Sequence, residues 1–305
     1  MSNAPTPHQI ASIGAATAAL ADAAKMFANV AEKFAADTAP TLKSARTLHA
    51  NDNVVLVGDT YVFDTHVRIT GKEGCSLGYK ALCALFADEQ ALCHVKSIEL
   101  YNVLEVTNAD VEKLRDIAAI QLCNLPLVSD VSSLCNAHTV ILQKLPLVSD
   151  VSALRSARII RLMHLPLVTD VSALRGANYI TLQSMLGLSD VSALRGVPGV
   201  GLYNMPLVSD VSALRSVTSL QMDNLPLVSD VSALGMIRRL QMWNMPLVSD
   251  VSALGNVAML TLDNMPLVSD ISALGNVKAL RFLNLPSVKS VAALFRARGL
   301  MPATA

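Results

Sequence analysis

An aspartate recurs at Asp130, Asp150, Asp170, Asp190, Asp210, Asp230, Asp250 and Asp270, an unbroken spacing of 20 residues. The words around it scarcely change: LPLVSDVSSL, LPLVSDVSAL, LPLVTDVSAL, MLGLSDVSAL, MPLVSDVSAL and so on to a final LPSVKSVAAL. Self-similarity at a short fixed period marks a repeat architecture. One such unit cannot bury enough apolar surface to fold alone, so units stack and each covers its neighbour.

Within a unit the apolar residues hold fixed places. In one they are Val257, Leu260, Leu262, Met265, Leu267, Val268, Ile271 and Leu274, and the pattern predicts that this set fills the core. Leu260-Thr261-Leu262 alternates, which is the mark of a short strand with one face inward. Pro266 then removes a backbone donor and turns the chain. Asp270 and its seven equivalents are placed to accept from backbone N–H groups of a short turn over Ile271–Leu274, a capping role. A row of carboxylates also raises a metal reading, but the flanking serines and the following turn account for it without a metal.

The pattern L-x-x-L-x-L followed by V-S-D-V-S-A-L resembles leucine-rich repeats, and its Asp-Val/Ile-Ser-Ala-Leu tail resembles the internalin class. It is also similar to leucine-rich-repeat proteins of trypanosomes described as adenylate cyclase regulators. The resemblance runs over residues 98–305. It implies an α/β solenoid of about ten 20-residue coils, with short parallel strands on a concave face and turns or 3-10 segments on the convex face. Strand spacing makes this an arc about 45–50 Å long. One departure is plain: the family's inward Asn or Cys three places after the second strand leucine is Leu or Met here, as at Leu125, Met205 and Met265. Asn stands one place earlier instead, at Asn124, Asn204, Asn224, Asn244, Asn264 and Asn284, facing either inward or outward.

Ahead of the repeats, Ile10, Ile13, Thr17, Leu20, Ala24, Phe27, Ala31 and Phe34 form a heptad seam. Residues 1–45 therefore read as an amphipathic Ala-rich helix plus a linker from Pro40. Residues 46–97 read as a mixed α/β cap, with strand-like runs at Val54–Val57 and Tyr61–Ile69 and a helix over Leu77–Leu92. Residues 98–305 are the solenoid, with no evident C-terminal cap. The helix reads as packed on its own body or left mobile, or else as a self-association or docking element, and the uncapped edge suggests dimerisation or a short adaptation of the last coil.

Lys plus Arg and Asp plus Glu are 24 each, so net charge does not steer the chain toward nucleic acid. No run of about 18 apolar residues indicates a membrane span. The five cysteines are odd in number and lack CxxC spacing, which favours an intracellular, cytoplasmic setting and no zinc. His8, His49, His66, His94, His138 and His164 are scattered, and no GxSxG, HExxH, P-loop or dinucleotide fingerprint occurs. The expectation is no enzyme activity and no cofactor.

The informative sites are those that vary inside the constant frame. In each strand the residue between the two core positions, and the one just after, should face the concave surface. Tyr203, Trp243 and Arg161 are the anchor candidates, since aromatics and Arg dominate interface energetics, with Gln183, Gln221, Asp223, Gln241 and Asp263 around them. Arg155, Arg175, Arg195 and Arg215 form a second row, read as neutralising the neighbouring aspartates or as a basic ridge. The sequence thus predicts a non-enzymatic scaffold that binds a protein through its concave sheet. A regulatory subunit acting on an enzyme such as a cyclase, or an exported adhesin-like protein, is the alternative.

Overall fold

The computed structural model describes residues 46–49, 66–71, 77–289, 291 and 294. Contacts divide the chain into 1–45 and 46–305, and the described residues all lie in the second unit. The heptad seam, the linker at Pro40 and the Val54–Val57 run fall outside the described residues.

Twelve strands form one parallel sheet in chain order: β1 Arg46–His49, β2 His66–Thr70, β3 Ser97–Tyr101, β4 Ala119–Cys123, β5 Thr139–Gln143, β6 Ile159–Met163, β7 Tyr179–Gln183, β8 Gly199–Tyr203, β9 Ser219–Asp223, β10 Arg239–Trp243, β11 Met259–Asp263 and β12 Ala279–Leu283. From β4 onward each residue pairs with the residue 20 places on, as in Leu240 with Leu260. Ten strands lie in the repeat region, and β1 and β2 extend the same sheet into the segment read as a cap. That segment also holds α1 (Leu77–Ala87) and α2 (Glu89–His94), separated by Asp88, whose carboxylate accepts from Ala91 N–H at 2.9 Å.

Seven of the eight apolar positions are buried as the pattern requires. In one coil these are Val257, Leu260, Leu262, Met265, Val268, Ile271 and Leu274. The eighth is not: Leu267 stands outside at 49% exposure. Its neighbours Met265 and Val268 turn inward around Pro266, and the tight turn between them aims Leu267 outward. The last strand, β12, has no following coil among the described residues to cover it, and its inward residues stay only half-buried.

Each 20-residue coil returns to the sheet through a 3-10 turn, such as Ser152–Ser156 or Ser252–Asn256. A 3-10 turn rises faster per residue than an α-helix and suits a short path. The first unit spans 22 residues from Ile98 to Ile120, and there an α-helix, α3 (Asn108–Glu112), takes the turn's place. Thr107 and Asp110 close a reciprocal capping box on it.

The asparagine row faces outward and forms the corner of the coil. Asn102, Asn124, Asn204, Asn224, Asn244, Asn264 and Asn284 all adopt φ between 49° and 55°, in the left-handed region. Asn tolerates that conformation better than other L residues, which explains its return directly after β3, β4 and β8 to β12. The corner N–H continues the ladder, as when Asn204 N–H donates to Asp223 C=O at 2.8 Å. Side-chain amides add a second ladder outside the coil, with Asn224 Nδ2 donating to Asn204 at 2.9 Å and Asn264 to Asn244 at 2.6 Å. Lys144, His164 and Ser184 hold the same conformation in the middle coils.

Replacing Asn224 by Val should therefore destabilise the solenoid by about 1–2 kcal/mol more than replacing it by Gly, which adopts the corner freely. Chemical unfolding midpoints of the two variants check this, and equal midpoints would remove the corner argument.

Candidate protein-binding face

The strands alternate, so one face of the sheet feeds the core and the other is open. Five-residue strands place three residues per coil on the open face, one more than the two read from the repeat. The additional column comes from the first strand position and includes Ile159, Tyr179, Arg239 and Met259. The sequence signal was available, since position i lies on the same face as i+2 and i+4. The L-x-L motif drew attention only to the later two.

The N-terminal end of this face is self-satisfied. Arg68 on β2 pairs with Glu99 on β3, its guanidinium lies 5.6 Å over the Tyr101 ring, and Tyr101 Oη donates to Glu99 Oε2 at 3.3 Å. Burial, with Glu99 beside it, pushes the Tyr101 hydroxyl up to about 12. Arg68 was not singled out by the repeat because β2 precedes it.

The centre of the face is built around two glycines. Gly199 and Gly201 leave the first two open-face positions of β8 without side chains, and two aromatic rings occupy the space. A Cβ on Gly199 would sit 2.6 Å from Tyr179 Cδ2, and one on Gly201 would sit 2.7 Å from Tyr203 Cε2. The two tyrosines thus lie directly on bare backbone. Burial, followed by the neighbouring Tyr179 and Asp223, raises the Tyr203 hydroxyl above its ordinary range, with Arg161 opposing. That hydroxyl donates to Gln221 Oε1, and Gln221 Nε2 donates to Gln241 Oε1 at 2.8 Å. Tyr203, Gln221 and Gln241 are thereby joined in one row across three strands.

Strand register brings Tyr203, Asp223, Trp243 and Asp263 side by side at the last position of β8 to β11. Asp223 is only 1% exposed. Asn244 Nδ2 donates to it at 2.6 Å, and Asn284 Nδ2 donates to Asp263 at 2.8 Å. Burial pushes the Asp223 carboxyl up to about 6, helped by Asp263 and opposed by donors from Asn244 and Asn224. Neither carboxylate has an ion-pair partner among the described residues. Trp243 lies half-buried between them. Arg161 and Gln183 occupy the same face on β6 and β7, also half-buried.

On the opposite side of the coils, all eight repeat aspartates bond in the same way. Each accepts from the backbone N–H two residues on, at 2.7–2.8 Å, from Asp130 with Ser132 to Asp270 with Ser272. These bonds hold carboxyls such as Asp150 and Asp210 below the ordinary range, even though neighbouring aspartates push Asp210 the other way. The arginine row does not neutralise them. The ion pairs among the described residues are Arg68–Glu99 and Arg115–Glu112, and Arg155 and its equivalents leave the far end of the turn. No group of three or more His, Cys, Asp or Glu placed to hold a metal occurs among the described residues. Nor is any of their helices long and apolar enough to cross a membrane.

The chain matches no protein-family model and no curated protein sequence. Solved structures do resemble it. An internalin (InlF) from Listeria monocytogenes aligns with a TM-score of 0.53 at 18% identity, covering 68% of this chain and 68% of that one. Internalin C2 from the same organism gives 0.45 at 18% identity over 67% and 91%. The functional domain of its InlJ gives 0.38 at 15% identity over 68% and 58%. The fold is an internalin-like leucine-rich-repeat solenoid.

Asp223 supplies a pH test of the site's electrostatics. A carboxyl whose folded value is raised stabilises the protein below its ordinary value near 3.8 and loses that contribution as pH climbs through about 6. Asp223→Asn should match the wild type at pH 4 and exceed it at pH 8, on the order of 1–2 kcal/mol. Unfolding midpoints at the two pH values report it, and a difference that does not change with pH would refute the assignment.

Proposed function

We propose that this chain is a non-enzymatic scaffold that captures a protein partner on the open face of its sheet, between β6 and β11. The observation that carries this is the Tyr179–Tyr203 pair laid over Gly199 and Gly201, beside the only Trp in the chain. Aromatic surface held on rigid strands binds with little loss of side-chain freedom, and such residues supply most of the energy in protein interfaces. Tyr203, Trp243 and Arg161 act as anchors. Gln183, Gln221, Gln241 and Asp263 surround them with polar groups that fix orientation, whereas Asp223, only 1% exposed, is too buried to touch a partner. The fold supports a protein-interaction scaffold in general, and a net charge of zero disfavours nucleic acid as the target. We place the protein inside the cell, on its odd cysteine count and spacing.

A double variant, Tyr203→Ala with Trp243→Ala, should lose one specific protein from an affinity capture out of the native cell, with circular dichroism unchanged. An unchanged set of captured proteins would move the search away from this face. Removing residues 1–45 should leave capture intact, because the proposed site lies wholly on β6 to β11.

A further inference from the structure

The leucines that the repeat pattern assigns to the core form instead a continuous outer row. One per coil, from Leu127 to Leu267, they are 45–55% exposed over eight consecutive coils. The row survives the one coil that breaks the frame. There Gly187 replaces the leucine, since a Cβ would sit 2.9 Å from Pro166 C=O, and Leu186, shifted by one place, is exposed at 55%. At about 80 Å² each, the eight leave roughly 600–700 Å² of contiguous apolar surface, above the ~300–600 Å² of the largest patch on an ordinary monomer.

We infer that this leucine ridge is a self-association surface whose occupant is the ridge of a second copy of this chain. Period favours the occupant. The leucines repeat once per coil, at a spacing fixed by the solenoid itself. A second solenoid has the same period and stays in step throughout, whereas an extended strand presents one face every ~6.6 Å and does not. Two ridges together bury about 1,200–1,400 Å², within the range of a specific interface.

The flanks fit as well. Chain order places each ridge leucine between the corner residue and the repeat aspartate, as in Asn224, Leu227, Asp230. A twofold axis along the ridge sets the corner row of one copy over the aspartate row of the other. Amide donors then meet carboxylates, and Lys144 and His164, which hold corner positions, meet Asp150 and Asp170. Zero net charge adds no long-range repulsion between copies.

Sedimentation velocity of the full chain from 1 to about 100 µM tests this. The wild type should form dimers, and Leu147→Glu with Leu207→Glu should weaken dimerisation at least tenfold. Met236→Glu, at a residue 81% exposed and off the ridge, should dimerise like the wild type. Should the glutamate pair lose its circular dichroism spectrum, serine at the same two positions replaces it. A monomeric wild type at 100 µM, a folded ridge variant that dimerises normally, or equal loss in the Met236 control would overturn the inference. None of these readouts involves partner capture, so the open-face reading stands or falls separately.

Discussion

A coil of 20 residues must leave its strand, turn, and come back to begin the next strand one ladder spacing away. The left-handed corner makes that circuit possible. At residues such as Asn224 the backbone takes a conformation that costs most L residues energy, and its N–H still donates to the neighbouring coil. Stacking then lets corner amides bond between coils, Asn224 to Asn204 and Asn264 to Asn244, while Asn244 and Asn284 bond to Asp223 and Asp263. A ladder of this kind exists only because each unit repeats the same conformation at the same height. The left-handed strain is local, whereas the compensation comes from neighbours, and that ties the units into one cooperative array.

The aspartate row completes the circuit on the other side. Each carboxylate is spent on the N–H of its own turn, so the row stabilises coils one by one while the corner row links them. A short charge-assisted bond in each unit outweighs the repulsion between neighbouring exposed carboxylates, which water screens. This division leaves the arginines of the middle coils with no role in neutralising the turn.

With the frame settled by corner, turn and core, the two outward surfaces are left to differ. The open face changes from coil to coil, and its centre is distinguished by glycine at the first and third positions of β8, which lets Tyr179 and Tyr203 lie on backbone. The leucine ridge hardly changes at all. Variable and constant surfaces suit different tasks. A variable face distinguishes one partner from others, whereas a ridge of constant period recognises another array of the same period.

Period, strand positions and most of the core were legible in the amino-acid order alone, because alternation and spacing translate directly into which side chains can share a face. The sequence also located Tyr203, Trp243, Asp223 and Gln221 on the open side, since a strand has only two faces. It did not show that Tyr203 lies on Gly201 or bonds to Gln221, that Asp223 is nearly sealed from water, or that Arg68 already holds Glu99. Apart from Tyr203 and Gly201, which share β8, the bonded pairs stand 18 or 31 residues apart and follow from register between coils. Nor could it distinguish Leu267 from its buried neighbours, because hydropathy records that a side chain is apolar and not where a tight turn aims it. The asparagine row was visible as a pattern, but its direction depended on a backbone dihedral that only the closed coil imposes.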